Sequence, residues 1–112
     1  MNPDVLKFAQ DILDSISKID FHLSTVSTVT QHSSNITIVD AVERRLAIIG
    51  EALWQINKID PSIKVTDQNK IIGLRHILVH DYDLTDDPTI WRICQNNLPV
   101  LKNEILGLIE KS

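Results

Sequence analysis

Cysteine, glycine and aromatic residues are all scarce in this chain, and positive charge is outnumbered. The single thiol, Cys94, closes no internal disulfide and builds no cysteine-based zinc cluster. It reads as a small buried hydrophobe. Three glycines in 112 residues are too few for a protein made of tight-turned sheet hairpins. No apolar run approaches the roughly 20 residues that cross a bilayer, so no membrane role is expected. Met1-Asn2-Pro3-Asp4 carries neither the basic nor the apolar region of a secretion signal, and the expected location is cytoplasmic. The formal net charge of −4 works against non-specific binding to nucleic acid, which needs basic surface. Any such contact requires a local basic site, expected to be assembled by oligomerisation.

What is present is the mixture of a globular protein, 43% hydrophobic and 23% charged. The length suits one compact domain over residues 1–112. Four helical segments read out. The first begins near Asn2 with Pro3 in its first position, and Val5, Phe8, Ile12, Ile16 and Ile19 mark its apolar face. The Ser/Thr-rich stretch Leu23–Ser34 reads as a frayed helix end plus a loop, with His22 and His32 solvated. The second helix runs from about Ile36 to Lys58, with Val39, Val42, Leu46, Ile49, Leu53 and Ile56 in period, and Asp60-Pro61 ends it. The third starts near Thr66 or Asp67, either of which can cap it, carries Ile71, Leu74 and Leu78, and is expected to end around His80 to Asp83. The fourth starts at Asp86-Asp87-Pro88 and keeps its period through Leu108, with Pro99 placed to kink it. The fold expected is all-α, an antiparallel four-helix bundle with a kinked last helix.

A helical wheel of residues 71–82 puts Arg75 and Tyr82 inside the apolar arc, at about 40° and 20° from Ile71. His76 and His80 fall at the polar edge. A buried arginine needs a partner, and the apolar arc is wider than one helix contact requires. Part of it is expected to face a second subunit or line a cleft. Arg75 and His80 are separated by about 7.5 Å along a helix axis, within reach of the flexible arginine side chain. An imidazole that moves protons near neutral pH and a guanidinium that forks onto phosphate oxygens make a workable pair for phosphodiester chemistry. By spacing alone, structural pairing serves as well: Arg75 with Glu51 or Asp81, His80 as a helix C-cap, Tyr82 as a packed aromatic.

Residues 73–82, Gly-Leu-Arg-His-Ile-Leu-Val-His-Asp-Tyr, resemble the R-x4-H-x-Y signature of the HepT-like HEPN toxins. Arg75, His80 and Tyr82 fill its fixed positions, and His76 stands where the family usually has asparagine. Asp40-Ala41-Val42-Glu43-Arg44 and Ile48-Ile49-Gly50-Glu51-Ala52 are similar to the family's second helix, and Thr89 through Trp91 to Leu98-Pro99 to its last. The resemblance implies a HEPN-like four-helix bundle acting as a homodimer, with two motifs facing one cleft. It implies metal-independent RNA cleavage by a toxin of a type VII-like toxin–antitoxin pair, with catalytic His80 transferring a proton and catalytic Arg75 clamping phosphate. His76 takes a supporting or substrate-touching role. The implied partner is an MntA-like nucleotidyltransferase antitoxin that transfers AMP onto Tyr82, where a bulky anion blocks the cleft and repels RNA.

Two other readings stay open. One is a non-catalytic helical dimer module that binds a nucleotidyltransferase. The other is a metal-dependent nuclease using His76 and His80, spaced as paired zinc ligands. No cysteine accompanies that pair and Asp81 and Asp83 fall elsewhere, so neither metal nor cofactor is expected. Trp54 and Trp91 read as core or dimer packing. The acids Asp81, Asp83, Asp86 and Asp87 read as a solvated turn. Glu43, Arg44 and Glu51 read as salt-bridge formers, with Glu51 able to orient Arg75 across the bundle.

Overall fold

In the computed structural model the structure describes residues 1–78 and 87–111. Its elements are α1 (Pro3–His22), α2 (Val29–Ser33), α3 (Ile36–Ile59), α4 (Gln68–Gly73) running into a 3₁₀ turn (Leu74–His76), α5 (Asp87–Arg92), a π segment (Ile93–Asn97) and α6 (Leu98–Glu110). All are helical, as the apolar periodicity requires. Met1, Asn2 and Val5 at the start of α1 share a pocket with Asp60 and Ile63 after α3 and with Leu108 near the end of α6. Helix α1 therefore runs opposite to both.

Local chemistry sets the starts of the two long helices. Asn2 Oδ1 accepts from the backbone N–H groups of Asp4 (2.7 Å) and Val5 (3.3 Å), with Pro3 behind it needing no donor partner. Asn35 Oδ1 accepts from Ile38 N–H at 3.2 Å and starts α3. Packing then does the rest. Ile12, Ile16 and Ile19 of α1 meet Leu46, Ile49, Leu53 and Ile56 of α3, and Leu98, Leu101 and Ile105 of α6 join the same core. Phe8, from the same stripe of α1, stays partly exposed beside a groove.

The stretch expected as a loop contains α2. Thr28 Oγ1 accepts from Gln31 N–H (3.1 Å), and Gln31 Oε1 reaches back to Ser27 N–H (2.7 Å). This is a variant of the capping box, whose Thr-x-x-Gln signature stands in the sequence. The helix carries His32 inward, which corrects the expectation of a solvated side chain: His32 is 0% exposed. Its ring lies 5.8 Å from that of Trp91 on α5, and among the described residues neither ring nitrogen has a hydrogen-bond partner.

The third helix changes geometry within its sequence pattern. Ile77 N–H bonds to Leu74 O (3.0 Å), three residues back, so the segment tightens after Gly73. In 3₁₀ geometry residues three apart eclipse. Leu74 and Ile77 both turn inward and Leu78, expected in the apolar row, is 51% exposed. The expected end at His80 to Asp83 lies outside the described residues. The helix starts where expected, after Asp67, but without the expected side-chain cap. Asp67 adopts left-handed backbone (φ 55°) and caps nothing; its Oδ2 accepts from Asn97 Nδ2 at 2.8 Å. Thr66 N–H donates to the Glu104 carboxylate of α6.

The last helix is interrupted rather than simply kinked. Pro99 lacks an N–H and its ring crowds the carbonyl of Gln95. The wider π turn at Ile93–Asn97 takes up this mismatch, and Pro99 falls in the first turn of α6.

Gly50, inside α3, fixes where the third element rests. A Cβ there would stand 2.6 Å from Arg75 N, 2.7 Å from Ile71 O and 3.1 Å from Ile72 O. These are backbone atoms that cannot swing aside. A methyl at Gly73 or Gly107 would meet nothing within 4 Å.

Packing at these glycines sets opposite signs for two substitutions. Gly50→Ala lowers stability by about 1–3 kcal/mol through overpacking, whereas Gly107→Ala, inside α6, raises it by about 0.5–1 kcal/mol; urea midpoints at constant m-value measure both. Burial holds the His32 imidazole below its ordinary 6.5, against a weaker upward pull from Asp87. The unfolded chain thus takes up the proton first, so the stability from neutral His32 is complete above pH 6.5 and lost as pH falls below it. His32→Leu should flatten the fall in urea midpoint just below that pH; an unchanged slope would show that His32 titrates alike in both states.

Candidate active site

Arg75 lies in the 3₁₀ turn, with its backbone against Gly50 and its side chain half-buried. Gly50 and Trp54 are one turn apart on α3, so the face that admits the Arg75 backbone also presents an indole to its side chain. Arg75 Cζ lies 4.2 Å from the Trp54 ring centroid, and Lys58 Nζ lies 4.6 Å from the same ring. Arg75 Nε is buried and has no hydrogen-bond partner among the described residues. The partner that a buried arginine requires is thus aromatic. Glu51, expected as a candidate ion-pair partner, instead accepts from Gln55 Nε2 at 2.9 Å. Among the described residues no carboxylate forms an ion pair with Arg75.

Arg75 opens on a groove of about 320 Å³ between α1 and α3, lined also by Phe8, Asp11, Arg44, Glu51 and Leu78. Arg44, expected as a salt-bridge former, is an exposed second cation of this groove. Leu78 supplies an exposed apolar rim. His76 is exposed and lines a different cavity of about 310 Å³, together with Lys70, Thr89 and Ile93. Neighbours in sequence, Arg75 and His76 serve separate surfaces. His80 and Tyr82 lie outside the described residues, as do Asp81, Asp83 and Asp86.

Sequence reasoning missed the pairing of Arg75 with Trp54. The signal was a glycine within a 24-residue helix, followed one turn later by tryptophan. A mid-helix glycine costs stability, and close backbone approach is its recurrent justification. Cys94 is buried, as expected, and burial pushes its thiol up to about 12, with a further upward push from Asp20. Such a thiol is no nucleophile at neutral pH. Among the described residues no helix is long and apolar enough to cross a membrane.

The family model described as "Ribonuclease HepT-like" matches residues 12–107, a span that holds the Gly50 contact, the Arg75 turn and the α3 wall of the groove. The chain belongs to the HepT-like ribonuclease family. Three proteins of Methanocaldococcus jannaschii are similar to this HepT-like chain. "Putative RNase MJ1380" is 31% identical over 103 residues, covering 91% of this chain and 87% of its own length. "Putative RNase MJ0125" is 28% identical over 108 residues, covering 96% and 86%. "Gamma-glutamylcyclotransferase and putative RNase MJ0434" is 29% identical over 112 residues, where this chain covers only 50% of that protein. No solved structure matches the chain.

Proposed function

We propose that this HepT-like ribonuclease cuts RNA by metal-independent transesterification, with Arg75 clamping the scissile phosphate and His80 moving the proton. The observation that carries the reading is a guanidinium at an open groove that no described carboxylate neutralises. In the step proposed, the 2′-hydroxyl attacks phosphorus and its proton is transferred away. The 5′-oxygen leaves with a proton, and a cyclic phosphate remains. Charge grows on the non-bridging oxygens as phosphorus becomes five-coordinate, and a fixed guanidinium stabilises it. An imidazole near neutral pKa suits both proton transfers. His76, facing the other cavity, fits substrate contact beyond the cut rather than the reacting phosphate.

The biological setting proposed is a toxin acting as a homodimer with its motifs at a shared cleft. The exposed Leu78 beside Arg75 supports that arrangement. The proposed partner is a nucleotidyltransferase antitoxin. It directs the Tyr82 hydroxyl onto the α-phosphorus of ATP; the Tyr–AMP bond forms and pyrophosphate departs. The added anion then repels RNA two residues from His80.

Purified protein should cleave RNA in EDTA, and His80→Ala and Arg75→Ala should each slow it by about a hundredfold or more. Equal rates for wild type and His80→Ala would end the catalytic assignment. Incubation with a nucleotidyltransferase encoded beside this chain and ATP should add AMP to the intact mass, and Tyr82→Phe should abolish the gain. A mass that still rises in that variant moves the acceptor elsewhere.

A further inference from the structure

The arginine of the proposed site is held by an aromatic ring and not by an acid. Its Cζ lies 4.2 Å from the Trp54 centroid, while its Nε is buried and, among the described residues, unbonded. Asp11 and Glu51 line the same groove, yet neither forms an ion pair with it, and Glu51 is engaged by Gln55. What positions the side chain, among the described residues, is the backbone contact at Gly50 and the indole one turn further along α3.

We propose that Trp54 is the positioning residue for Arg75: the indole face fixes the guanidinium at the groove while leaving its N–H fork uncommitted for an RNA phosphate. This rests on the reading of Arg75 as phosphate clamp. A carboxylate would orient the guanidinium equally well. It would also occupy the fork and cancel the charge that the phosphate must meet. An aromatic face attracts the cation through its quadrupole and takes no in-plane hydrogen bond. A side chain already placed loses less freedom when phosphate arrives. Lys58, 4.6 Å from the same ring centroid, gathers a second cation there. Two cations beside one ring supply local positive charge of the kind that a protein of net charge −4 needs to engage RNA.

The test measures cleavage of total RNA, and binding of a mixed-sequence 2′-O-methyl RNA that cannot be cut. Trp54→Leu should slow cleavage about tenfold to a hundredfold, and Trp54→Phe, which keeps an aromatic face, should recover to within about threefold of wild type. In an Arg75→Ala background Trp54→Leu should cost nothing more, because the two act as one unit. The slope of log Kd against log salt should fall by roughly 0.7 in Arg75→Ala and by the same amount in Trp54→Leu, since each variant neutralises one phosphate fewer. Circular dichroism and the active Phe variant separate these effects from loss of fold. Full cleavage and full salt slope in a folded Trp54→Leu would overturn the proposal, as would losses that multiply with those of Arg75→Ala. Should Arg75→Ala itself cleave normally, the clamp reading is what fails; the salt slopes then judge Trp54 alone.

Discussion

The structure depends on one close contact, the seating of the Arg75 turn on Gly50. Three backbone atoms of residues 71–75 lie within 3.1 Å of where a side chain would begin. Only a residue without Cβ admits them. The contact sets the distance between α3 and the third element, and so the depth of the groove they share with α1. It also decides which side chains meet across the interface. One turn beyond the glycine, α3 presents Trp54, and the arriving chain presents Arg75. The glycine costs a 24-residue helix some stability, and that cost is offset by burial of Ile71, Leu74 and Ile77 against the core.

The charge problem is solved at the same place. A net-negative protein that handles a polyanion needs cations whose charge is not already neutralised. Nearby acids are plentiful enough to cancel Arg75, and Glu51 lies on the same wall of the groove. Its carboxylate is held by Gln55, four residues along its own helix. The guanidinium is left to the indole, a contact worth about 0.5–2 kcal/mol. That is enough to favour one placement and too little to hold the group against a phosphate.

Much of this was legible in the sequence. The three-and-four spacing along α1 and α3 located both helices and nearly all of the core they share. Asn2-Pro3 and Asp60-Pro61 marked boundaries the structure keeps. The misses arise where something outranks periodicity. Thr28-x-x-Gln31 turned an apparent loop into α2 and buried His32. After Gly73 a change from 3.6 to three residues per turn exchanged Leu78 for Ile77 in the core. Asp67, a good cap by residue type, stands in left-handed backbone with its carboxylate bonded to Asn97, 30 residues away, which no local pattern reveals. For the site, the sequence showed an arginine needing a partner and offered acids. The aromatic that takes their place was signalled only by a mid-helix glycine one turn before a tryptophan, a cue fainter than the acids.

The two ends of the third element are secured independently, and this bears on how the site stays in register. Its start is tied to the last helix through Asp67–Asn97 and Thr66–Glu104. Its end is pressed on α3 at Gly50 and closed by Ile77, which is 1% exposed. The chain resumes at α5, where Ile90 is equally buried and Trp91 meets His32. Two buried residues, Ile77 and Ile90, thus stand on either side of the stretch of sequence that contains His80 and Tyr82. A shift of α3 against α1 would move Ile77 and Arg75 together, because both ride on the backbone seated at Gly50. Arg75 and the last turn of the described chain before residue 79 thus share one support, the backbone seated at Gly50.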